Sequence, residues 1–405
     1  MSPRTTTPPW PLVALFTAGY LAAYLLPTTV GRLDAALPLT TTEAGAIGSA
    51  LLLGSATAGF TLAAQVERVG PRRLARAGLL LAAAGYGTAA LSTALPAVVA
   101  GAVLGGFGSG TATAVAATGI AAQRDPHRAS TLGLLSVSAL AGALYLTIPH
   151  LGPGHGLPLA ALALTALLTL PATTGLDTPA ATARVARERG PLPHPRHGLT
   201  LAVTLLLWSL AQNSLWGVSG RIGTTQAGLT EVTVGAVFAM ALGAGLLGVI
   251  GASALGARFG RALPIGAGTA LIAGCIALSA TATDLPTFAT GEIAWNTLYP
   301  VVLSYLIGLA ASLDPRGRWA VLIGSASSLG TAAGPLVGSL LSAHAGYPTM
   351  GAILAVGLVL LTAPMTWVAL RATTPTTEHA RYQERERVEA QARATPEQPQ
   401  YRPAA

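Results

Sequence analysis

The sequence predicts an all-α integral membrane protein of about twelve transmembrane helices, arranged as two related six-helix halves. Three observations predict it. Of 405 residues, 52% are apolar and only 9% charged, where a soluble domain carries about 25% charged residues. The apolar residues gather into charge-free runs, and a helix needs about twenty such residues to cross the hydrocarbon core. Arginine is concentrated in every second break between the runs. Helix is the expected form because lipid offers the backbone no partners and a helix satisfies its own N–H and C=O groups.

In chain order, runs 11–31 and 44–66 each suit one span. Run 77–123 is broken by Ser92-Thr93-Ala94-Leu95-Pro96, and run 129–176 by His150-Leu151-Gly152-Pro153-Gly154, so each holds two helices. Single spans follow at 199–220, 232–256, 263–283 and 287–312, and run 319–370 splits at His344-Ala345-Gly346-Tyr347-Pro348. The expected organisation is an N-terminal half (1–171), a cytoplasmic linker (172–198), a C-terminal half (199–371) and a mobile tail (372–405). Pro179, Pro191, Pro193 and Pro195 with mixed charge mark the linker, and Glu378 to Arg393 is a charged stretch without an apolar stripe.

Alternate loops carry Arg68, Arg72, Arg73 and Arg76; Arg124 and Arg128; Arg184, Arg187, Arg189 and Arg196; Arg258 and Arg261; Arg316 and Arg318; and Arg371. The remaining loops hold only Arg32 and Arg221 among arginines, beside Asp34, Glu43, Glu231 and Asp284. Basic residues in short loops stay on the cytoplasmic side, so both termini are expected in the cytoplasm and the chain in the cell membrane. The run after Arg4 is read as a retained span rather than a cleaved signal, because eleven more follow.

The net charge of +8 is therefore membrane topology and not a nucleic-acid surface. Cys275 is the single cysteine, which excludes an intramolecular disulfide. His127, His150, His155, His194, His197, His344 and His379 fall in expected loops or the tail without ligand spacing, so no metal is expected. Gly105-Gly106-Phe107-Gly108-Ser109-Gly110 lies mid-span with no lysine after it, which argues for close helix packing and against a phosphate loop. Neither an enzyme nor a cofactor is expected, and a monomer is the expected state.

The two halves share an internal repeat. Gly31-Arg32-Leu33 recurs as Gly220-Arg221-Ile222 after 189 residues, and Arg68-Val69-Gly70 as Arg258-Phe259-Gly260 after 190. Thr42-Glu43 matches Thr230-Glu231 at 188, and Asp125-Pro126 matches Asp314-Pro315 at 189. An even helix number per half makes the repeats parallel, with a substrate site expected between them near mid-membrane.

On this architecture the chain resembles the major facilitator superfamily, from about Pro11 to Arg371. The family's signature loop reads Gly, three residues, Asp, Arg, any residue, Gly, then a basic pair. Here Ala63 stands for the first Gly and Glu67 for the Asp, while Arg68, Gly70, Arg72 and Arg73 are kept. The resemblance implies that Glu67, Arg68, Gly70, Arg72 and Arg73 form a cytoplasmic gating loop. Gly330, Gly334-Pro335 and Gly338 in the eleventh helix are similar to the family's Gly-Pro motif, which drug antiporters carry in the fifth helix. The fifth helix here offers Ser138, Gly142-Ala143 and Tyr145, and Ala102 lies near where those antiporters place an arginine. The resemblance further implies secondary active transport by alternating access, with helices one, four, seven and ten lining the cavity.

Within those helices Glu292 is the one deep acid, seven residues or roughly 10 Å from the outer end of the tenth. A charge at such depth costs about 2.5–3.5 kcal/mol unless solvated or paired. Glu292, Asn296 and Tyr299 share one helical face, with Trp295 beside them and Pro300 able to loosen the backbone. Glu292 is expected to face the cavity and accept a proton or cation, or else to form a structural ion pair with Arg221 or Arg32. On the seventh helix Trp208, Gln212 and Trp216 repeat every four residues with Asn213 adjacent, and Tyr20 and Tyr24 do so on the first. Tyr20, Tyr24, Gln212, Asn213, Trp216, Trp295, Asn296 and Tyr299 are the expected substrate contacts. Trp208, nearer the cytoplasmic end, reads as an interfacial anchor. Arg32 and Arg221 read as an outer gate, as partners for an anionic substrate, or as an interfacial, snorkelling pair. The expected activity is proton-coupled export of a small organic molecule. The alternatives are an uptake permease for an anionic metabolite and a non-transporting membrane sensor on the same scaffold.

Overall fold

Helices make up most of the described residues, among which there is no strand. The computed structural model describes residues 9–176, 192–256, 258–314 and 317–372. Arg184, Arg187, Arg189, Arg316, His379 and the stretch from Glu378 to Arg393 lie outside them.

The membrane-length elements are α1 (Trp10–Tyr24 continued by Leu26–Ala36), α2 (Thr41–Leu62), α3 (Pro71–Leu91), α4 (Leu95–Ala121), α5 (Pro126–Thr147) and α6 (Gly156–Thr169, continued by a 3-10 segment Leu170–Gly175). They continue as α7 (Pro195–Arg221), α8 (Glu231–Leu255), α9 (Ala262–Ala280) and α10 (Leu285–Ser312). A final stretch, Arg318–Ala372, has 55 residues, about 80 Å at 1.5 Å per residue, which is too long for one crossing. Gly346, at φ 77° and ψ 164°, divides it into α11 (318–345) and α12 (347–372), where the sequence places the break. The breaks at 92–94 and 151–155 also fall as expected.

The first span departs from expectation. Instead of one straight run over 11–31, α1 bends by 47° at Leu25 and continues to Ala36. Pro27 enters as the second residue of the continuing segment, where its missing N–H and fixed φ suit a new helix start better than an uninterrupted one. The symmetry-related α7 has Trp216 at that position and runs unbroken to Arg221, then loosens into a π-turn over Ile222–Gln226. Of the histidines expected in loops, His127, His197 and His344 lie instead inside α-helices and His150 ends a 3-10 turn.

Polar residues at helix starts satisfy the orphan N–H groups. Thr40 and Glu43 form a reciprocal capping box on α2, while Asp125 and Asp284 accept from Arg128 N–H and Thr287 N–H at 3.0 and 2.8 Å. In the second half Thr230 caps α8 alone, which leaves Glu231 available for another partner.

Small residues set the helix packing. A Cβ on Gly106 would lie 2.0 Å from Leu51 O, and one on Gly110 2.1 Å from Ser55 O, so α2 and α4 touch backbone to backbone. The Gly-Pro stripe of α11 does the same against α7, with Cβ positions on Gly330 and Gly338 2.1 Å from Leu206 O and Ser214 O. In the signature loop, Gly70 turns the chain at φ 92°, a conformation that favours glycine, between a short helix Val66–Val69 and α3.

Candidate functional site

The two halves are joined at the bundle end that carries Arg32 and Arg221. Arg32 is 3% exposed and donates to Gly152 O, Gly154 O and Ile148 O at 2.7, 3.1 and 3.3 Å. Its remaining terminal donor reaches across to Glu231 Oε2 at 2.6 Å. Arg221, equally buried, pairs with Asp34 at 3.6 Å and donates to Thr41 O and, within its own half, to Ser339 Oγ. Each arginine of one half thus answers an acid of the other. The snorkelling reading does not hold, because a guanidinium enclosed by carbonyls and carboxylates is partnered inside the protein rather than in water.

Other bonds between the halves lie in the same region or near mid-bundle: Trp216 Nε1 donates to Ala23 O, and Leu336 N–H to Ser49 Oγ. Gly45, Gly220 and Gly235 bring Ser339, Pro27 and Tyr145 close across the interface. At the opposite end, Glu67, Arg68, Arg72 and Arg73 are exposed and, among the described residues, make no ion pair with the other half. The molecule is latched at its Arg32 end.

Glu292 lies behind this latch and is fully buried. Its Oε1 accepts from Ser219 Oγ of α7 at 2.8 Å and from Ser279 Oγ of α9 at 2.6 Å, while Oε2 has no partner among the described residues. The expected alternative of an ion pair with Arg221 or Arg32 is therefore overturned, since both guanidiniums are held by Asp34 and Glu231. Ser219 and Ser279 escaped the sequence reading because isolated serines in apolar runs are common and α9 is not an expected lining helix.

Aromatic rings continue from Glu292 along α7 and α10. Trp208 stacks on Tyr299 at 5.1 Å and 18°, Tyr299 meets Trp295 at 5.9 Å, and Trp295 meets Trp216 at 5.5 Å. Trp216 then touches Phe238 at 5.2 Å, which touches Tyr145 of the other half at 5.0 Å. Trp208 is fully buried in this stack, so its reading as an interfacial anchor is corrected: its ring packs on Tyr299 rather than at a lipid–water boundary. Phe238 and Tyr145 were missing from the expected contacts.

The eight expected contacts fall into two layers. Gln212, Trp216 and Trp295 are buried, with Trp295 Nε1 donating to Gln212 Oε1. Tyr20 is exposed, and Tyr24, Asn213, Asn296 and Tyr299 are partly so. Asn213 Nδ2 donates to Ser209 O and Thr331 Oγ1, and Asn296 Nδ2 to Glu292 O. Among the described residues no three His, Cys, Asp or Glu side chains converge as a metal site would require.

A twelve-crossing bundle of two related halves, joined at one end by buried ion pairs, has the architecture of a membrane transporter. The Major Facilitator Superfamily model matches residues 12–313, and the chain belongs to that family. No curated protein sequence matches. Among solved structures, a point mutant of the nucleoside transporter NupG aligns with a TM-score of 0.68 at 13% identity, covering 89% of this chain and 99% of that one. A bacterial homologue of the human lysosomal transporter Spinster, inward-facing and unoccupied, aligns with a TM-score of 0.65 at 13% identity, covering 90% and 94%. At that identity both establish the fold and nothing finer. The chain is accordingly a multi-pass secondary transporter for a small molecule.

Proposed function

We propose that the protein is a proton-coupled exporter of a small organic molecule in the cell membrane, with Glu292 as the proton-binding group. The arginine bias supports cytoplasmic termini, a reading in which the latched end is outer and the state described is inward-facing. The observation that carries the reading is Glu292 itself, a fully buried carboxyl with hydroxyl partners on one oxygen and none on the other. Ionised there, it would bear a charge in a dry site with no cation beside it; protonated, it is neutral. The latched state therefore favours the protonated carboxyl, so a proton taken up while the outer end is open stays bound as the halves close and passes to the cytoplasm once water reaches the carboxyl from the inner side.

Arg32–Glu231 and Arg221–Asp34 serve as the outer gate, and the exposed Glu67–Arg73 loop as the inner one, engaging when the halves rock the other way. Export is the proposed direction on the chemistry of the interior, which offers rings and three amides, Gln212, Asn213 and Asn296, rather than the many amides a sugar would require. Uptake of an anionic metabolite through Arg32 and Arg221 is disfavoured, because their terminal donors are already committed to acids, a hydroxyl and carbonyls.

The test is flux of a compound panel in sealed vesicles, with and without an imposed pH gradient, for wild type and Glu292→Gln. Gln preserves the serine bonds but cannot ionise. Gradient-driven flux in wild type that vanishes in the variant supports the reading, and equal flux in both overturns it.

A further inference from the structure

We propose that Gln226 is a positioning residue for Glu292: its amide ties the end of α9 to the π-turn after α7, so that the state of the carboxyl is passed to Arg221 in the latch. This rests on the reading of Glu292 as the coupling group and adds the device that connects it to the gate.

The carboxyl and the latch share one short piece of α7. Ser219, which donates to Glu292 Oε1, stands two residues before Arg221, which pairs with Asp34 of the other half. At 1.5 Å per residue the two are about 3 Å apart along the helix axis. Directly after Arg221 the helix widens into the π-turn Ile222–Gln226, closed by Ala227 N–H on Ile222 O at 2.9 Å. Such turns are rare and occur mostly at functional sites. A Cβ on Gly223 would lie 2.6 Å from Val234 of α8 and 3.0 Å from Phe288 of α10, so the turn packs on the helix that carries Glu292 one turn further along.

Gln226 closes the circuit. Its Nε2 donates to Ala280 O at 2.8 Å and to Ala282 O at 2.9 Å. Carbonyls can only accept, so the amide nitrogen faces them, with one hydrogen for each. Both carbonyls lie at the C-terminal end of α9, beyond which no further turn of that helix supplies donors. Ser279, the second donor to Glu292 Oε1, immediately precedes Ala280, and a Cβ on Gly291 would lie 2.9 Å from Ser279 Cα, so α9 and α10 touch beside the carboxyl. The two serines thus reach one oxygen from different helices, and Gln226 joins the ends of those helices. A hydroxyl binds a carboxylate more strongly than a neutral acid. A change in the charge of Glu292 therefore changes the pull on both serines, and the clamp delivers that change to the π-turn and Arg221. The first half has neither part: at the 189-residue offset that relates Arg32 to Arg221, Val30 stands for Ser219 and Leu37 for Gln226.

The test is a double-mutant cycle read as the distance between the halves at the latched end. Spin labels go on Thr93→Cys, in the exposed break between α3 and α4, and on Ala345→Cys, at the exposed end of α11, in the full-length protein with Cys275→Ser. Electron–electron double resonance then gives the ratio of open to closed latch at one fixed pH, with no substrate and no gradient. Gln226→Met keeps the length of the side chain and removes both donors. It should raise the open-to-closed ratio about tenfold, as expected for two lost hydrogen bonds. In a Glu292→Leu background, or the milder Ser279→Ala, the same substitution should change the ratio less than about twofold, because the clamp then has no carboxyl to act on. A similar change in every background shows a bond that is only structural and overturns the proposal, as does no change in the first. Equal flux in wild type and Glu292→Gln would remove proton coupling and leave the outcome of the cycle standing, so the two failures are told apart.

Discussion

At the residue scale, the site turns on how one carboxyl is partnered. Glu292 stands out in the sequence by depth alone, but its partners lie 73 residues before and 13 before it in the chain, and no spacing rule links Ser219, Ser279 and Glu292. Ser279→Ala and Ser219→Ala should each lower stability by about 1–2 kcal/mol, measured by denaturant titration in detergent, since each removes one hydrogen bond from a buried polar group. No loss in either would show that the carboxyl does not depend on them. The latch arginines behave differently from their acids. Arg32 is buried and holds three carbonyls as well as Glu231, which is 45% exposed, so Arg32→Gln should be markedly more damaging to stability than Glu231→Gln. Equal losses would mean that the ion pair, and not the carbonyl cage, carries the contact. The α10 cap contributes no pH effect near neutrality: Thr287 hydrogen bonds hold the Asp284 carboxyl below the usual carboxylate range. Its stabilisation is present above the ordinary carboxylate pKa and is lost only as pH falls through that lowered value.

At the element scale, periodicity and punctuation locate the helices well, because crossing length and Pro-Gly breaks are local properties. The bend in α1 is the exception, since Pro27 is compatible with a helix start and its effect depends on what the segment beyond it touches. Arg32 on that segment is tied to the 148–154 turn and to Glu231, which holds the bent course. The glycine stripes sort by what lies opposite. Gly338 of α11 would put a Cβ 2.1 Å from Ser214 O, whereas Gly357 of α12 has nothing within 4 Å. Gly338→Ala should therefore destabilise by about 1–3 kcal/mol, the usual cost of overpacking. Gly357→Ala should be neutral or stabilising by up to about 1 kcal/mol, as helix propensity dictates. Melting curves of the two variants that shift in the same direction would contradict the packing described for α7 and α11.

At the scale of the whole molecule, the state is defined by contact between halves at one end. A Cβ on Gly142 of α5 would sit 3.9 Å from Ala239 Cβ of α8, within the usual disulfide spacing of about 3.5–4.5 Å. With Cys275 replaced by serine, the pair Gly142→Cys and Ala239→Cys should cross-link under mild oxidant and stop turnover until reductant is added. A cross-linked protein that still transports would show that this end need not open. The apolar content of each run, the breaks at Pro and Gly, the duplicated Gly-Arg and Thr-Glu pairs and the acid inside α10 were all determined by the sequence alone, because each is set by neighbours within a few turns or by comparing one half with the other. The tertiary structure alone decided that Arg32 answers Glu231 across 199 residues, that Glu292 rests on two serines rather than an arginine, and that Trp208 is wall rather than anchor. Those choices depend on which helix faces end up opposite one another, and in a chain whose helices are apolar on nearly every side, hydrophobic patterning carries almost no information about facing.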